Sequence, residues 1–243
     1  MNYSFLQCGE GALTVHLGDG IDPAINRLVT ALQGAIGSAG LRGITDLIPA
    51  YADLTVCYDC TVISAKALQR QLRRLLDSLS VAGQDRRRVF RLPVCYGGDY
   101  GPDLDFVCHH SGLSAQEVIA LHSAPDYLIY MLGFLPGFAY LGGLDPRLHT
   151  PRLDSPRTCI PAGSVGIGGA QTGVYPLASP GGWQLLGRTP VSVFDRQRQE
   201  PILYRAGDLV HFVPISPAEY EEIARAVAAG TYTVQVEEVP VCD

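Results

Sequence analysis

The chain contains the run Ile160-Pro-Ala-Gly-Ser-Val-Gly-Ile-Gly-Gly-Ala-Gln-Thr-Gly-Val-Tyr-Pro176, which decides the fold of its second half. The run lies in a window, Met131 to Pro190, that holds 12 of the 27 glycines and 8 of the 17 prolines of the chain. Between Thr158 and Gly187 there is no Asp, Glu, Lys, Arg or His. Short β-prone runs separated by Gly and Pro are typical of strands joined by tight turns. The window therefore predicts a β-barrel or sandwich that acts through backbone, amide, hydroxyl and aromatic groups.

The β-prone character continues towards the C-terminus. Strands are predicted at Val165 to Ile167, Leu185-Leu186, Val191 to Phe194 and Val210 to Val213. A helix from about Pro217 to Ala229 follows, and its acidic first turn favours the helix N-terminus. The alternating tail from Thr231 to Val236 is typical of an edge strand.

The residues before the charged run Gln84-Asp-Arg-Arg-Arg88 predict a small α+β unit. Asp22 followed by Pro23 predicts the start of a first helix, and Gly40 its end. Ser64 starts a second helix with a leucine face. Strands are predicted near Tyr3 to Cys8, Ala12 to Leu17, Gly43 to Pro49 and Leu54 to Tyr58.

The charged run predicts a solvated linker rather than a nucleic-acid patch, and it sets the domain boundary. We expect an N-terminal α+β domain over residues 1–88, and a barrel domain with a C-terminal helix and tail over residues 89–243. A strand from Val89 to Cys95 opens the second domain. Short helices are predicted at Asp103 to His110 and, after the capping box at Ser114, to about His122. The fold class is α+β.

The composition excludes several classes of protein. The 243 residues are 47 % hydrophobic and 17 % charged, which is too apolar for a disordered chain and enough for a sizeable core. The net charge of −6, with Lys66 the only lysine, argues against a nucleic-acid partner. No apolar run is long enough to span a membrane and no signal peptide is recognisable, so we expect a soluble, cytoplasmic protein.

The seven cysteines are odd in number and scattered, which argues against a disulfide framework. Cys57 and Cys60 form a CxxC, but a zinc site needs a second ligand pair, and the alternation from Ala52 to Tyr58 predicts a strand. We interpret both as structural cysteines. His109 and His122 are interpreted as structural too, and no metal site is predicted.

The glycine-rich run is not a phosphate-binding loop of a common kind, because it lacks both the GK[ST] ending of a P-loop and the GxGxxG spacing. A backbone nest for an anion or carbonyl and a set of tight barrel turns both stay open for it. Arg152, Arg157 and Arg188 are the nearest cations, and Arg binds carboxylate or phosphate in bidentate fashion. His149 is a candidate proton donor or acceptor.

Three further segments accompany the run from Ile160 to Pro176: Gly133-Phe-Leu-Pro-Gly-Phe-Ala-Tyr-Leu141, Leu148-His-Thr-Pro-Arg152, and Pro180-Gly-Gly-Trp-Gln-Leu-Leu-Gly-Arg-Thr189. Together they resemble the KipI / allophanate hydrolase subunit 1 family, whose common bacterial members are B subunits of ATP-dependent 5-oxoprolinase. The resemblance extends from the N-terminal unit to about Pro214. The CxxC and the extension from Ser216 to Asp243 depart from the family's pattern.

The resemblance implies a small α+β domain followed by a cyclophilin-like β-barrel. It implies a complex that converts 5-oxo-L-proline, ATP and water to L-glutamate, ADP and phosphate, with Mg²⁺ accompanying ATP as co-substrate. The implied partners are a KipA/PxpC-type subunit and a LamB/YcsF-type PxpA subunit, and the chain alone is expected to be inactive. Two alternatives stay open. One is a KipI-type inhibitor of a sporulation histidine kinase, with a groove at Phe134, Phe138 and Tyr140 for a Pro-containing segment. The other is an allophanate hydrolase-like amide-hydrolysing subunit.

Such a reaction needs donors for an oxyanion, a cation for carboxylate or phosphate, and a dry pocket. We expect the catalytic residues among His149, Arg152, Gln171 and Tyr175, and the general base from a partner. The amides of Gly166 to Gly169 are expected to act as donors. The pocket lining is expected to comprise Pro136, Phe138, Tyr140, Gly166, Gly168, Gly169, Thr172, Trp183 and Arg188.

Overall fold

The computed structural model describes residues 2–79 and 86–240, which fold into two compact units, Met1–Asp85 and Arg86–Asp243. Each unit has its own cluster of buried apolar side chains. Among the described residues, no helix is long and apolar enough to cross a membrane.

The first unit is a four-stranded antiparallel sheet with two helices. Its elements are β1 (Ser4–Cys8), β2 (Ala12–His16), α1 (Pro23–Ala39), β3 (Ile44–Pro49), β4 (Asp53–Tyr58) and α2 (Ala65–Asp77), and its strand order is β1-β2-β4-β3. The Asp22 side chain caps α1 by accepting a hydrogen bond from the Ala24 amide at 2.7 Å, and Gly40 ends the helix with φ 54°. Leu13 and Leu54 belong to the core that both helices share with the sheet. The predicted α+β unit is confirmed.

The second unit is a closed β-barrel with three helices. Its elements are β5 (Arg86–Tyr96), α3 (Leu104–Ser111), α4 (Ala115–Ser123), β6 (Asp126–Leu132), β7 (Ala139–Gly142), a 3₁₀ turn (Pro146–Leu148), β8 (Arg157–Ile160), β9 (Ser164–Gly168), β10 (Gln171–Val174), β11 (Ser179–Gly181), β12 (Gln184–Arg188), β13 (Leu209–Ile215), α5 (Pro217–Ala228) and β14 (Gln235–Pro240). Seven strands form the ring in the order β12-β9-β10-β7-β6-β13-β5, and β5 returns to β12. β14 pairs with β5 outside the ring, and β8 with β11 forms a separate ribbon. The predicted barrel is confirmed.

Side chains alternate between the inside and the outside of this barrel. Val165 and Ile167 of β9 lie in the core, so Gly166 and Gly168 face outward. The core also receives residues from α3, α4 and the long connection before β13. The inside of the barrel is therefore a packed core.

The charged run is not a linker where the structure describes it. Arg86 to Arg88 open β5, where they pair with β14. Arg88 donates two hydrogen bonds to the Asp208 carboxylate at 3.0 and 2.6 Å, and Asp208 is buried. The linker prediction was therefore wrong for these arginines, because distant carboxylates recruit them into the sheet. Gln84 and Asp85 lie outside the described residues.

Two strand predictions near the C-terminus also need correction. Val191 to Phe194 is not a strand, since only Phe194 forms an isolated bridge, to Ile202. The tail strand is Gln235–Pro240 rather than Thr231 to Val236. Its register is set by pairing with β5, which places Gln235 opposite Arg91 and lets Arg91 donate two hydrogen bonds to the Glu237 carboxylate at 2.8 and 3.0 Å. Alternation in the tail sequence indicates a strand but does not fix where pairing begins.

Candidate functional site

A cleft of about 330 Å³ opens on the barrel surface. The structure brings together five residues that the sequence predicted for the site: Phe138, Tyr140, Arg152, Tyr175 and Trp183. The lining also includes Phe134, which was predicted only for the alternative peptide-binding groove, and four residues that were not predicted: Pro156, Pro180, Gly181 and Gly182.

Glycines of the uncharged run let aromatic rings lie directly on the sheet. A Cβ on Gly168 would overlap the Trp183 indole, and one on Gly173 would lie 3.2 Å from it. A Cβ on Gly181 would lie 2.5 Å from the Tyr175 hydroxyl. A side chain at position 168 or 181 would displace a ring, and one at position 173 would be in tight contact with the indole. The glycines of the uncharged run therefore provide a surface without side chains on which the aromatic rings of the cleft pack.

Phe138 is the centre of this aromatic wall. Its ring makes edge-to-face contacts with Tyr140, Tyr175 and Trp183, with centroids 5.1, 5.4 and 5.5 Å away. Such pairs add about 0.5–1.5 kcal/mol each beyond the area they bury. Phe138, Tyr175 and Trp183 are all buried, so the wall is a fixed surface rather than a set of mobile side chains.

Phe134 stands at the mouth of the cleft. Its side chain is 64 % exposed, and its φ of 61° is the only positive value for a non-glycine in the described part of the chain. The Leu135 amide donates to the Gly133 carbonyl at 2.7 Å, and the Phe138 amide donates to the Leu135 carbonyl at 2.9 Å, which holds this tight loop. An exposed aromatic on a strained backbone is a signal of binding.

Tyr175 is the buried hydroxyl of the cleft. Burial raises the pKa of its phenol, while Arg152, the Trp183 backbone N–H and Arg157 act to lower it. The phenol is therefore protonated at neutral pH. The protonated phenol O–H can donate a hydrogen bond to a ligand.

Arg152 is the cation of the cleft, and its guanidinium carbon lies 5.9 Å from the centre of the indole ring. Its backbone is fixed on both sides. The Pro151 carbonyl accepts from Gln184 Nε2 at 3.0 Å, and the Leu153 amide donates to the Gly182 carbonyl at 2.7 Å. Its exposed guanidinium is placed to bind a carboxylate or phosphate.

An ion pair between Arg157 and Asp103 holds the backbone of the cleft wall at Trp183. Arg157 Nη2 donates to Asp103 Oδ1 at 2.6 Å, and Arg157 Nη1 donates to the Trp183 carbonyl at 3.3 Å. The Leu185 amide donates to Asp103 Oδ2 at 2.7 Å. Arg157 is thus a positioning residue rather than a ligand of the cleft. The role of Asp103 could not be predicted from the sequence, because its partners lie 54 and 82 residues further along the chain.

The expected nest of backbone amides and hydroxyls is not formed. The Gly169 amide donates to the Thr150 carbonyl at 2.8 Å, so it is not available to an oxyanion. Gly166 lies in the middle of β9, which has β10 on one side and β12 on the other. Thr172 is fully buried, and its hydroxyl donates to the Gly166 carbonyl at 3.0 Å. The polar groups of Gly169 and Thr172 are thus used in hydrogen bonds within the barrel, and neither residue lines the cleft.

Four other predicted residues do not line the cleft. Pro136 and His149 are exposed, and Gln171 is half-buried at the start of β10. Arg188 lies at the end of β12, where its guanidinium carbon is 5.9 Å from the centre of the Tyr100 ring.

His122 lies in the barrel core, as its structural interpretation requires. Its Nε2 lies 2.7 Å from Thr172 Oγ1, and its Nδ1 lies 2.8 Å from the Tyr96 hydroxyl. Since Thr172 donates to a carbonyl, it accepts from His122 Nε2–H, and the Tyr96 hydroxyl donates to Nδ1. Burial lowers the pKa of His122 to about 3. The imidazole is therefore a neutral structural group.

The cleft offers one cation, the phenols of Tyr140 and Tyr175, and flat apolar walls, and its lining contains no carboxylate. Among the described residues, no group of three or more His, Cys, Asp and Glu is arranged to hold a metal ion. Cys57 and Cys60 are free thiols, the first half-buried and the second exposed. These cleft groups suit a small planar molecule that carries a carboxylate.

The sequence matches the protein family described as carboxyltransferase domain, subdomain C and D, over residues 3–204. It is 42 % identical over 230 residues to the 5-oxoprolinase B subunit of Bacillus subtilis strain 168, which covers 90 % of this chain and 96 % of that protein. It is 45 % identical over 207 residues to the 5-oxoprolinase B subunit of Escherichia coli O157:H7, which covers 85 % of this chain and 93 % of that protein.

The crystal structure of Kluyveromyces lactis urea carboxylase matches with a TM-score of 0.82 at 23 % identity. The match covers 98 % of this chain but 24 % of the yeast chain. At this identity the similarity establishes the fold alone.

Proposed function

Because the chain belongs to the carboxyltransferase domain family, subdomain C and D, and is similar to 5-oxoprolinase B subunits over most of its length, we propose that it is the B subunit of an ATP-dependent 5-oxoprolinase. The observation that carries this proposal is the cleft, which sets the Arg152 guanidinium and the Tyr175 hydroxyl into one aromatic wall. Its volume of about 330 Å³ is at the small end of the range for ligand pockets, which suits a small substrate.

The substrate 5-oxo-L-proline carries a carboxylate on a flat lactam ring. Arg152 binds the carboxylate in bidentate fashion. The lactam ring lies against the Trp183 indole, and the Tyr175 O–H donates a hydrogen bond to the lactam oxygen. Buried aromatic walls exclude water around this oxygen, which strengthens the hydrogen bond.

Ring opening needs ATP because the lactam is resonance-stabilised and its ring re-forms easily. Transfer of the γ-phosphoryl group to the lactam oxygen releases ADP and leaves an electrophilic carbon. Water adds to this carbon, the ring C–N bond breaks and the nitrogen takes a proton. A second water hydrolyses the resulting acyl phosphate to glutamate and phosphate. The part of this chain is to hold the lactam and to donate to its oxygen.

The remaining chemistry belongs to the assembled complex. The cleft lining contains no carboxylate to serve as general base or Mg²⁺ ligand, so we assign no ATP or Mg²⁺ site to this chain. The proposed partners are a KipA/PxpC-type subunit and a LamB/YcsF-type PxpA subunit. The chain alone is expected to release no glutamate.

Trp183 is the only tryptophan of the chain, so its fluorescence reports on the cleft directly. We expect 5-oxo-L-proline to change this fluorescence in a saturable way. The variant Arg152→Met should weaken binding about 10-fold or more, since hydrogen bonds to charged groups contribute about 1.5–3 kcal/mol. The variant Arg147→Met is the matched control, because Arg147 is exposed and pairs with Asp145 outside the cleft.

Activity provides the second measurement. In the complex assembled from the three subunits, Arg152→Met and Tyr175→Phe should each lower ATP-dependent glutamate release by about 10-fold or more, while Arg147→Met should not. Normal turnover in both cleft variants would refute the role given to the cleft.

The exposed ring of Phe134 favours a second use of the cleft, the KipI-type binding of a Pro-containing segment of a partner kinase. Phe134→Ala distinguishes the two. Under the enzymatic proposal, it should leave saturation by 5-oxo-L-proline largely intact. Under the regulatory proposal, it should abolish binding to the kinase, and 5-oxo-L-proline should not bind at all.

A further inference from the structure

A second polar cluster lies on the outer surface of the barrel. Strand register places Ser164 of β9 opposite Arg188 of β12, and Arg188 opposite Cys95 of β5. Paired residues of neighbouring strands point to the same face, with Cβ atoms about 5 Å apart. Val165 and Val94, the chain neighbours of Ser164 and Cys95, belong to the core. The three polar residues therefore form a row that faces outward.

Two atoms of this row are buried without a partner. Ser164 is fully buried, and neither its Oγ nor Arg188 Nε has a hydrogen-bond partner. None of the ion pairs among the described residues includes Arg188. A guanidinium nitrogen withdrawn from water needs an acceptor, and its charge needs a counter-charge. A serine hydroxyl and an arginine Nε can both donate, so the missing partner is an acceptor with negative charge.

Aromatic side chains cover the row. The guanidinium carbon of Arg188 is 5.9 Å from the centre of the Tyr100 ring, and Tyr220 of α5 packs on Tyr100 with centroids 4.4 Å apart. The Tyr100 hydroxyl also donates to the exposed Glu221 carboxylate at 3.0 Å. Water is thus kept from Arg188 Nε, and a hydrogen bond made there is strong.

We propose that Ser164 and Arg188 form a binding site for a small oxyanion, a carboxylate or a phosphate. The Ser164 hydroxyl and Arg188 Nε each donate one hydrogen bond to it, and the guanidinium neutralises it. Gly168, which lies beneath the indole, is four positions along β9 from Ser164, a distance of about 13 Å at about 3.3 Å per residue. The site is therefore separate from the cleft, and it does not rest on the function proposed for the cleft.

The test is thermal unfolding of the full chain, followed in titrations with inorganic phosphate and, separately, with acetate. Sodium chloride keeps the ionic strength constant. An oxyanion that binds the folded state raises the unfolding temperature in a saturable way. We expect this for the natural sequence and for the control Arg147→Met. Arg188→Met, which keeps the apolar stem, should lose the effect, and Ser164→Ala should weaken the affinity about 10-fold.

The two titrations identify the ligand, because saturation with phosphate alone or with acetate alone assigns the site to that oxyanion. If Arg188→Met does not fold, Ser164→Ala still tests the proposal. We expect Ser164→Ala to fold, because this substitution removes a single buried oxygen. Equal temperature shifts in the natural chain and in Ser164→Ala would overturn the proposal. So would the absence of a saturable shift up to about 50 mM of either anion, which would mean that a buried water occupies the site.

Discussion

The buried imidazole of His122 makes the barrel lose stability between pH 7 and pH 5. Burial holds its pKa at about 3, against 6.5 for an exposed histidine. Below pH 6.5 the unfolded chain binds a proton at this residue, and the folded chain does not bind one until about pH 3. Stability contributed by the neutral imidazole is therefore fully present above pH 6.5 and is lost as the pH falls towards 3.

The size of this effect follows from the pKa difference. Each pH unit through that interval changes the free energy of unfolding by about 1.4 kcal/mol. Between pH 7 and pH 5 the loss is about 2 kcal/mol, because the unfolded histidine is only partly protonated at the start of the interval. The variant His122→Gln should abolish this slope, since an amide can accept from Tyr96 and donate to Thr172 without titrating.

The measurement is urea unfolding at several pH values, followed by Trp183 fluorescence, because the only tryptophan lies in the barrel. Comparing the slopes of the natural chain and of the variant cancels the contributions of all other titrating groups. Among these is His16, whose pKa is raised chiefly by its hydrogen bond to Asp53 and whose effect has the opposite sign. His149→Gln, at an exposed position, should keep the full slope. An equal slope in the natural chain and in His122→Gln would refute this account of the buried network.

Two further predictions concern the cleft wall. Gly168→Ala puts a Cβ into the Trp183 indole, so it should shift the emission to longer wavelength and cost about 1–3 kcal/mol. Gly34→Ala is the matched control, because in the α1 interior the new Cβ meets no atom within 4 Å and should stabilise the chain by up to about 1 kcal/mol. An unchanged emission in Gly168→Ala would contradict the close approach of Gly168 to the indole. Asp103→Asn removes the charge that holds Arg157, so urea unfolding should show a loss of about 1–3 kcal/mol, and the Trp183 emission should shift as its loop loosens. Natural stability together with natural emission would show that this ion pair does not position the wall.

Local signals predicted the start of each helix in the first unit. Asp22 and Ser64 cap their helices because a side-chain oxygen meets an amide two or three residues away. Ser114 forms the expected capping box with Glu117 for the same reason. These interactions depend on adjacent sequence, so the sequence alone was sufficient to place them.

Pairing between distant residues could not be predicted in this way. Arg88 lies in a strand and pairs with Asp208. The two residues are 120 positions apart in the sequence and become neighbours only in the folded barrel. Arg188 is near the cleft in sequence, yet strand register directs it to a separate row with Ser164 and Cys95. Which arginine enters the cleft depends on closure of the ring, which no local pattern encodes.

The absence of charge between Thr158 and Gly187 has a structural cause. On β9 and β10 the inward positions fill the core. The outward positions 168 and 173 lie beneath the Trp183 indole, and position 166 lies against the Gln184 backbone of β12. A charged side chain there would have to displace the indole and lose its hydration, which is strongly unfavourable. Charge must therefore enter the cleft from a segment outside these strands. Arg152 does so, because its backbone is tied to the Trp183 loop on both sides. The cation of this cleft therefore comes from a loop that flanks the uncharged glycine-rich run.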